Sequence, residues 1–190
     1  MEATVRITQD PRADAVLSSN AFALLTGMLL DQQFPMERAF AGPAKILERF
    51  GSLDPMAIAA ADTAAFEELC ATPPAIHRYG RSMARRIQQL ATVVAETYHG
   101  DAESIWTTAA DTKDLIKRLK ELPGFGDQKA RIFAALLGKQ LGITPEGWRE
   151  AIGPYAEAGS TRSVADVTDP ESLQAVREFK KAAKASANTG

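Results

Sequence analysis

The sequence predicts an all-α protein, and three observations carry that prediction. Alanine is abundant while alternating β-branched runs are almost absent. Residues 80–98 repeat apolar side chains at helical spacing, with Met83, Ile87, Leu90, Val94 and Tyr98 on one side and Arg78, Arg81 and Arg85 on the other. Residues 112–141 then read as two helices joined by "LPGFG". At 190 residues and 45% hydrophobic content the chain can bury a core as one domain or two small lobes.

The remaining elements follow in chain order. The segment "MEATVRITQDPRAD" has no apolar run after a basic start, so no secretory signal is expected. Asn20 is placed to cap a helix carrying Leu24, Leu25, Met28 and Leu29. Pro35 suits the first turn of the next helix, which reaches Phe50 and stops at Gly51, with Pro43 expected to kink or split it. Asp62 is a candidate cap for a short helix that Pro73-Pro74 ends. In the first arm of the hairpin Leu115, Ile116 and Leu119 face inward. The second arm, 126–141, is apolar most of the way round through Ile132, Phe133, Leu136 and Leu137, as a central helix would be. Beyond Gly142 the chain is broken by Gly and Pro, with a short helix expected at 146–152. A final amphipathic helix is expected at 170–184, then a frayed tail.

Composition excludes several chemistries. One cysteine, Cys70, rules out an internal disulfide and a multi-cysteine metal or iron–sulfur site, and two histidines make a histidine-rich metal centre unexpected. No cofactor is expected. No apolar run approaches the roughly 20 residues that span a bilayer, so no membrane partner is expected and the cytoplasm is the default compartment. Net charge is −2, but residues 78–140 hold 11 Lys/Arg against 7 Asp/Glu, and the rest 11 against 17. The basic excess surrounds the hairpin, enough to meet a few phosphates.

The turn itself suggests why. Pro123 stops the first arm, Gly124 and Gly126 tolerate unusual backbone angles, and Leu122 and Phe125 can pin the arms from beneath. The first amides of the second helix have no intrahelical acceptor and sit at the positive end of its dipole. With no side chain on Gly124 or Gly126, a phosphate oxygen can approach that backbone, and Lys129 can add a formal charge. Asp127 favours the dipole but competes with a phosphate. An ordinary αα-hairpin that binds nothing fits the same spacing.

"LPGFGDQKA" resembles the Leu-Pro-Gly-hydrophobic-Gly-x-x-x-Ala signature of the helix-hairpin-helix DNA glycosylases, the superfamily of endonuclease III and the alkyladenine and 8-oxoguanine glycosylases. "FALLTGMLLDQQFPMERA" is similar to that family's early helix ending Leu-Leu-x-x-Gln, and "RYGRSMARRIQQLA" to the helix preceding the hairpin. The resemblance covers about residues 20–142 and lacks the family's four-cysteine cluster site. It implies one unit over 1–190: two helical lobes with a central cleft, the hairpin at 112–141, and 143–190 packing back on the N-terminal lobe. It also implies a monomer acting on double-stranded DNA with a damaged or mispaired base, in which the hairpin grips the backbone and the nucleotide is flipped into the cleft. Gln33 matches the position that fills the gap in the duplex, and Phe34 could wedge beside it; the DNA-contacting residues the resemblance implies are Gln33, Leu122, Gly124, Phe125, Gly126, Gln128 and Lys129.

Many members attack the sugar with a lysine two residues after the second hairpin glycine. That position is Gln128 here; Lys129 lies one residue on, about 100° around the helix. The resemblance therefore implies base excision by water rather than a lyase. The family's aspartate, often in Val-Asp-x-His, has no counterpart; counting lands on Glu146 in "ITPEGWRE", with Asp31 as the second candidate acid. The expected function is a monofunctional DNA N-glycosylase of base excision repair. A catalytically inactive DNA-binding member and a helical protein-interaction module remain alternatives.

Overall fold

Asn20 caps the helix on which the rest of the molecule is built, its side chain accepting the Ala23 amide at 2.9 Å. In the computed structural model, which describes residues 4–188, this helix is α2, Ala21–Leu30, and Phe22 to Leu30 are all buried. Before it lies α1, Pro11–Ser19, capped by Asp10. After it, α3 spans Met36–Phe50 and ends at Gly51. Pro43 sits inside α3 without splitting it, because Ala39, Phe40 and Ile46 anchor the helix to the core on both sides of the proline. The α2–α3 contact is close: a Cβ on Gly27 would lie 2.5 Å from Phe40 Cδ1.

The short helices α4 (Pro55–Ala60) and α5 (Thr63–Ala71) lie against α6, Gly80–Thr97. Asp62 caps α5 as expected, accepting from Ala65 N at 2.8 Å. Two arginines of α6 pair with acids of α5: Arg81 with Glu68 at 2.7 Å and Arg85 with Glu67 at 2.9 Å. A second group of helices follows: α7 (Ser104–Thr107), α8 (Thr112–Lys120), α9 (Asp127–Leu141), α10 (Trp148–Ile152) and α11 (Pro170–Asn188), with 3₁₀ turns at Gly153–Ala156 and Val164–Asp166. Among the described residues there is no strand. No single helix among them is long and apolar enough to cross a membrane.

The sequence reading differs from the structure at both ends. Helix α1 was not expected, since its apolar positions are few. Helix α11 runs on to Asn188 instead of fraying at 184; its alanines and lysines are strong helix formers that need little packing. Trp106 and Trp148 are core residues. Trp106 packs on Phe133 with ring centroids 5.6 Å apart. Trp148 donates its indole N–H to Ala134 O at 2.9 Å, in space that Gly138 leaves open: a Cβ there would lie 2.3 Å from the ring.

The irregular stretch after α10 is organised by one carboxylate. Asp166 accepts from Lys139 Nζ at 2.6 Å, Ser160 Oγ at 2.8 Å and Arg162 N at 2.9 Å. Its side chain is 3% exposed and that of Lys139 15%. Asp166→Ala leaves a mostly buried ammonium without its charge partner and is expected to destabilise the protein by about 3–5 kcal/mol, with Asp166→Asn losing less. Thermal or urea unfolding measures this; a loss within about 0.5 kcal/mol would mean the loop is held by other contacts.

Candidate nucleic-acid interface

Helix α8 begins at Asp111, whose side chain accepts from Asp114 N at 2.8 Å, and buries Leu115, Ile116 and Leu119. It ends at Lys120, and Phe125 N donates to Leu122 O at 3.1 Å across the turn. Leu122 and Phe125 are 3% and 4% exposed, and Phe125 meets Phe133 edge-on at 6.1 Å. They hold the turn from beneath and, being almost fully buried, offer DNA almost no side-chain surface; in this they depart from the expected DNA-contacting set.

The two glycines do different work. Gly124 has φ +83°, and a Cβ there would lie 2.4 Å from Leu29 Cδ1, so its missing side chain serves the fold: it lets the turn rest on the end of α2. Gly126 is the N-cap of α9 with φ −83°, a conformation open to any residue, and a Cβ there would meet nothing within 4 Å. Packing does not require glycine at this point. No side chain caps α9, so its first amides are left for an acceptor from outside the helix. Gly124, Gly126, Asp127 and Gln128 are all exposed.

Asp127 stands at the mouth of this site, but its carboxylate is drawn aside by Arg131 at 2.8 Å and Lys120 at 3.5 Å. The hydrogen bond from Arg131 leads in holding its pKa below the usual carboxylate range.

Lys129 corrects the sequence reading. Its ammonium turns inward and donates to Met28 O at 2.9 Å and Leu29 O at 3.4 Å. These are carbonyls at the negative end of α2, which a cation stabilises. Burial leads in lowering its pKa, opposed by the nearby charge of Asp31. It therefore fastens the hairpin to α2 and does not face a phosphate.

That fastening brings Gln128 and Asp31 to one cavity of about 530 Å³, bounded also by Ile132, Tyr155, Phe179 and Lys180. Gln128 Nε2 donates to Tyr155 Oη at 3.0 Å. The Asp31 side chain is 6% exposed and its carboxylate lies 3.7 Å from Lys180 Nζ. Burial dominates in pushing its pKa above the ordinary value, with Lys180 and then Lys129 pulling it back. A larger concavity of about 940 Å³ between the first residues and α1 contains no hairpin residue.

Glu146 is a second correction. It is exposed and borders a different cavity with Asp111, Thr112 and Lys113. Glu146 O accepts from Thr112 N at 3.0 Å, and Pro145 O accepts from Thr112 Oγ1 at 3.0 Å. These bonds fold the post-hairpin loop back on the start of α8, so Glu146 borders a different cavity from the one that holds Gln128.

Gln33 is exposed with φ +52°, a left-handed conformation uncommon outside glycine. Its neighbours hold the turn in place. His77, only 1% exposed, donates from Nε2 to Gln32 O at 2.8 Å and accepts the Tyr79 amide on Nδ1 at 3.0 Å. A backbone amide can only donate, so the ring is neutral with its proton on Nε2. Burial leads in lowering its pKa, consistent with that form. The His77 ring lies 4.7 Å from that of Phe34, and Arg86 reaches Gln32 Oε1 at 3.3 Å. In the sequence His77 shows only as a lone histidine just before the arginine-rich helix, and no local signal ties it to the Gln32–Gln33 turn. Cys70 is fully buried, and burial pushes its thiol up to about 12, so it is an inert core residue.

Among the described residues no group of three or more His, Cys, Asp or Glu could hold a metal ion. Comparison with known families gives a match to the HhH-GPD superfamily base excision DNA repair protein family over residues 26–185. No curated protein matches the sequence.

Proposed function

The chain belongs to the HhH-GPD superfamily of base excision DNA repair proteins, and on that premise we propose that it is a monofunctional DNA N-glycosylase, flipping a damaged nucleotide and removing its base with water. One observation supports this reading above the others: a buried carboxylate, Asp31, shares a cavity with Gln128 next to an uncapped helix N-terminus. In this reading the amides following Gly126 bind a backbone phosphate of duplex DNA. Gln33 fills the space the extruded nucleotide leaves, on a turn braced by His77 and Arg86. The flipped base enters the cavity, and unpairing and unstacking it costs a few kcal/mol, offset by the phosphate contacts.

As the glycosidic bond breaks, positive charge develops on the sugar. Asp31 in its ionised form stabilises that charge or takes a proton from the attacking water. Its low exposure strengthens this effect, because a partly desolvated carboxylate acts through a lower local dielectric. Gln128 carries a carboxamide at the position where lyase members carry a nucleophilic amine. A carboxamide is not basic enough to form a Schiff base, so the product is an abasic site in an intact strand.

A panel of duplexes, each with one damaged or mispaired base, tests this. At least one is expected to yield an alkali-labile abasic site, without strand scission before alkali and without a borohydride-trapped complex. Salt-dependent DNA binding with no excision on any duplex would leave only a DNA-binding role. A trapped covalent complex would overturn the monofunctional assignment.

A further inference from the structure

We infer that the cavity selects uncharged bases rich in carbonyl acceptors, as deamination or oxidation produces, and rejects bases made cationic by ring alkylation. The inference rests on the cavity being the base-binding pocket, as proposed above.

Charge is the first argument. Three cationic side chains line the cavity, Arg162, Lys180 and Lys184, against one carboxylate, Asp31. That carboxylate is already engaged by Lys180 at 3.7 Å. Among the described residues Arg162 pairs with the mostly exposed Glu157, at 4.0 Å. A base carrying a fixed positive charge would therefore enter a site of the same sign.

The aromatic surface points the same way. A cationic base gains most by laying its charge on the face of an aromatic ring. The Phe179 ring that borders the cavity already has the Arg162 guanidinium 5.4 Å from its centroid. That guanidinium would compete with a cationic base for the ring, whereas a neutral base can stack on Phe179 or on the flat guanidinium itself.

Hydrogen-bonding capacity is the third argument. Lysine and arginine only donate. Tyr155 Oη accepts from Gln128 Nε2 and so keeps its own proton free to donate. Ser163 Oγ is taken up at the start of its 3₁₀ turn, accepting from Ala165 N. Side-chain donors thus outnumber the side-chain acceptors, which are the Asp31 carboxylate and Gln128 Oε1. Deamination replaces an amino donor on the base with a carbonyl acceptor, and ring oxidation adds one, so either change converts a poor match into a good one. Size does not discriminate, since about 530 Å³ admits a purine or a pyrimidine.

Excision rates alone would mislead, because a cationic base is a good leaving group and departs with little help. The test is therefore binding of the full-length protein to duplexes with one 2′-fluoro nucleotide, which resists excision, carrying hypoxanthine, 8-oxoguanine or 7-methylguanine, each compared with the undamaged duplex at fixed salt. Hypoxanthine or 8-oxoguanine is expected to be bound at least about tenfold more tightly than cationic 7-methylguanine, a gap that electrostatics at this range can supply. Arg162→Gln is expected to narrow that ratio about threefold or more by removing one like charge and uncovering Phe179. Equal or tighter binding of 7-methylguanine, or an unchanged ratio in Arg162→Gln, overturns the inference while leaving a base-binding pocket. If no lesion is bound better than undamaged duplex and none is excised in the duplex panel, the pocket reading and the inference fall together.

Discussion

Asp31→Asn is expected to lower the excision rate by about 10²–10⁴-fold, the range associated with a positioned general acid–base or charge-stabilising group. Asparagine keeps the shape but cannot carry negative charge opposite the developing sugar cation. DNA binding should survive, because Asp31 lies in the cavity and not at the hairpin amides. The fold should also survive, because Lys129 keeps its bonds to Met28 O and Leu29 O. In the wild type the rate should fall as pH drops through the midpoint of the Asp31 carboxyl, which burial has moved above the ordinary aspartate range. The stability effect has the opposite sense. A carboxyl that holds its proton to higher pH in the folded state than in the unfolded chain favours the fold at acid pH, and that contribution is lost as pH rises through the folded midpoint. Asp31→Asn should remove both dependences. Single-turnover excision against pH, alongside circular-dichroism melts, measures them; a variant that still excises at the wild-type rate would take Asp31 out of the chemistry.

Gly126→Asp should weaken DNA binding about 10- to 100-fold while leaving the melting temperature unchanged or slightly higher. Nothing lies within 4 Å of the position a Cβ would take, and φ −83° suits any residue. Aspartate is a somewhat better N-cap than glycine, by a few tenths of a kcal/mol. The new carboxylate would take the amides of α9 for itself and add negative charge where a phosphate is meant to sit. Losing one phosphate contact should also reduce the salt dependence of binding by about one unit of slope. Gly124 is the wrong place for this experiment: with φ +83° and Leu29 pressed beneath it, a side chain there disturbs the turn itself. Fluorescence anisotropy on one duplex across a salt series decides the matter, and wild-type affinity in Gly126→Asp would remove the phosphate role from the hairpin.

Much of the helical skeleton was legible because its signals are local. Asn20 and Asp62 cap helices through amides three residues away. The apolar stripes of α6 and α8 follow from helical repeat alone, and so does the central place of α9, in which residues 129–141 are all buried or partly buried. Helix α1 and the last turn of α11 carry few apolar residues, so no helical repeat marks them in the sequence. The site was legible only as far as the turn. Leu122, Gly124, Phe125 and Gly126 lie within five consecutive residues, and their spacing shows a tight hairpin, though not which of them faces outward.

By itself the sequence determined an all-α chain, a glycine-rich turn between α8 and α9, and the absence of a second cysteine. Those are properties of composition and of neighbours a few residues apart. Tertiary structure decided which groups meet: Lys129 reaching residues 28 and 29, Asp31 joining Gln128 in one cavity, His77 bracing the turn that carries Gln33, and Glu146 held at the start of α8 by the bonds to Thr112. These partners lie from about thirty to a hundred positions apart, and no local periodicity encodes which buried surfaces come together when the helices pack.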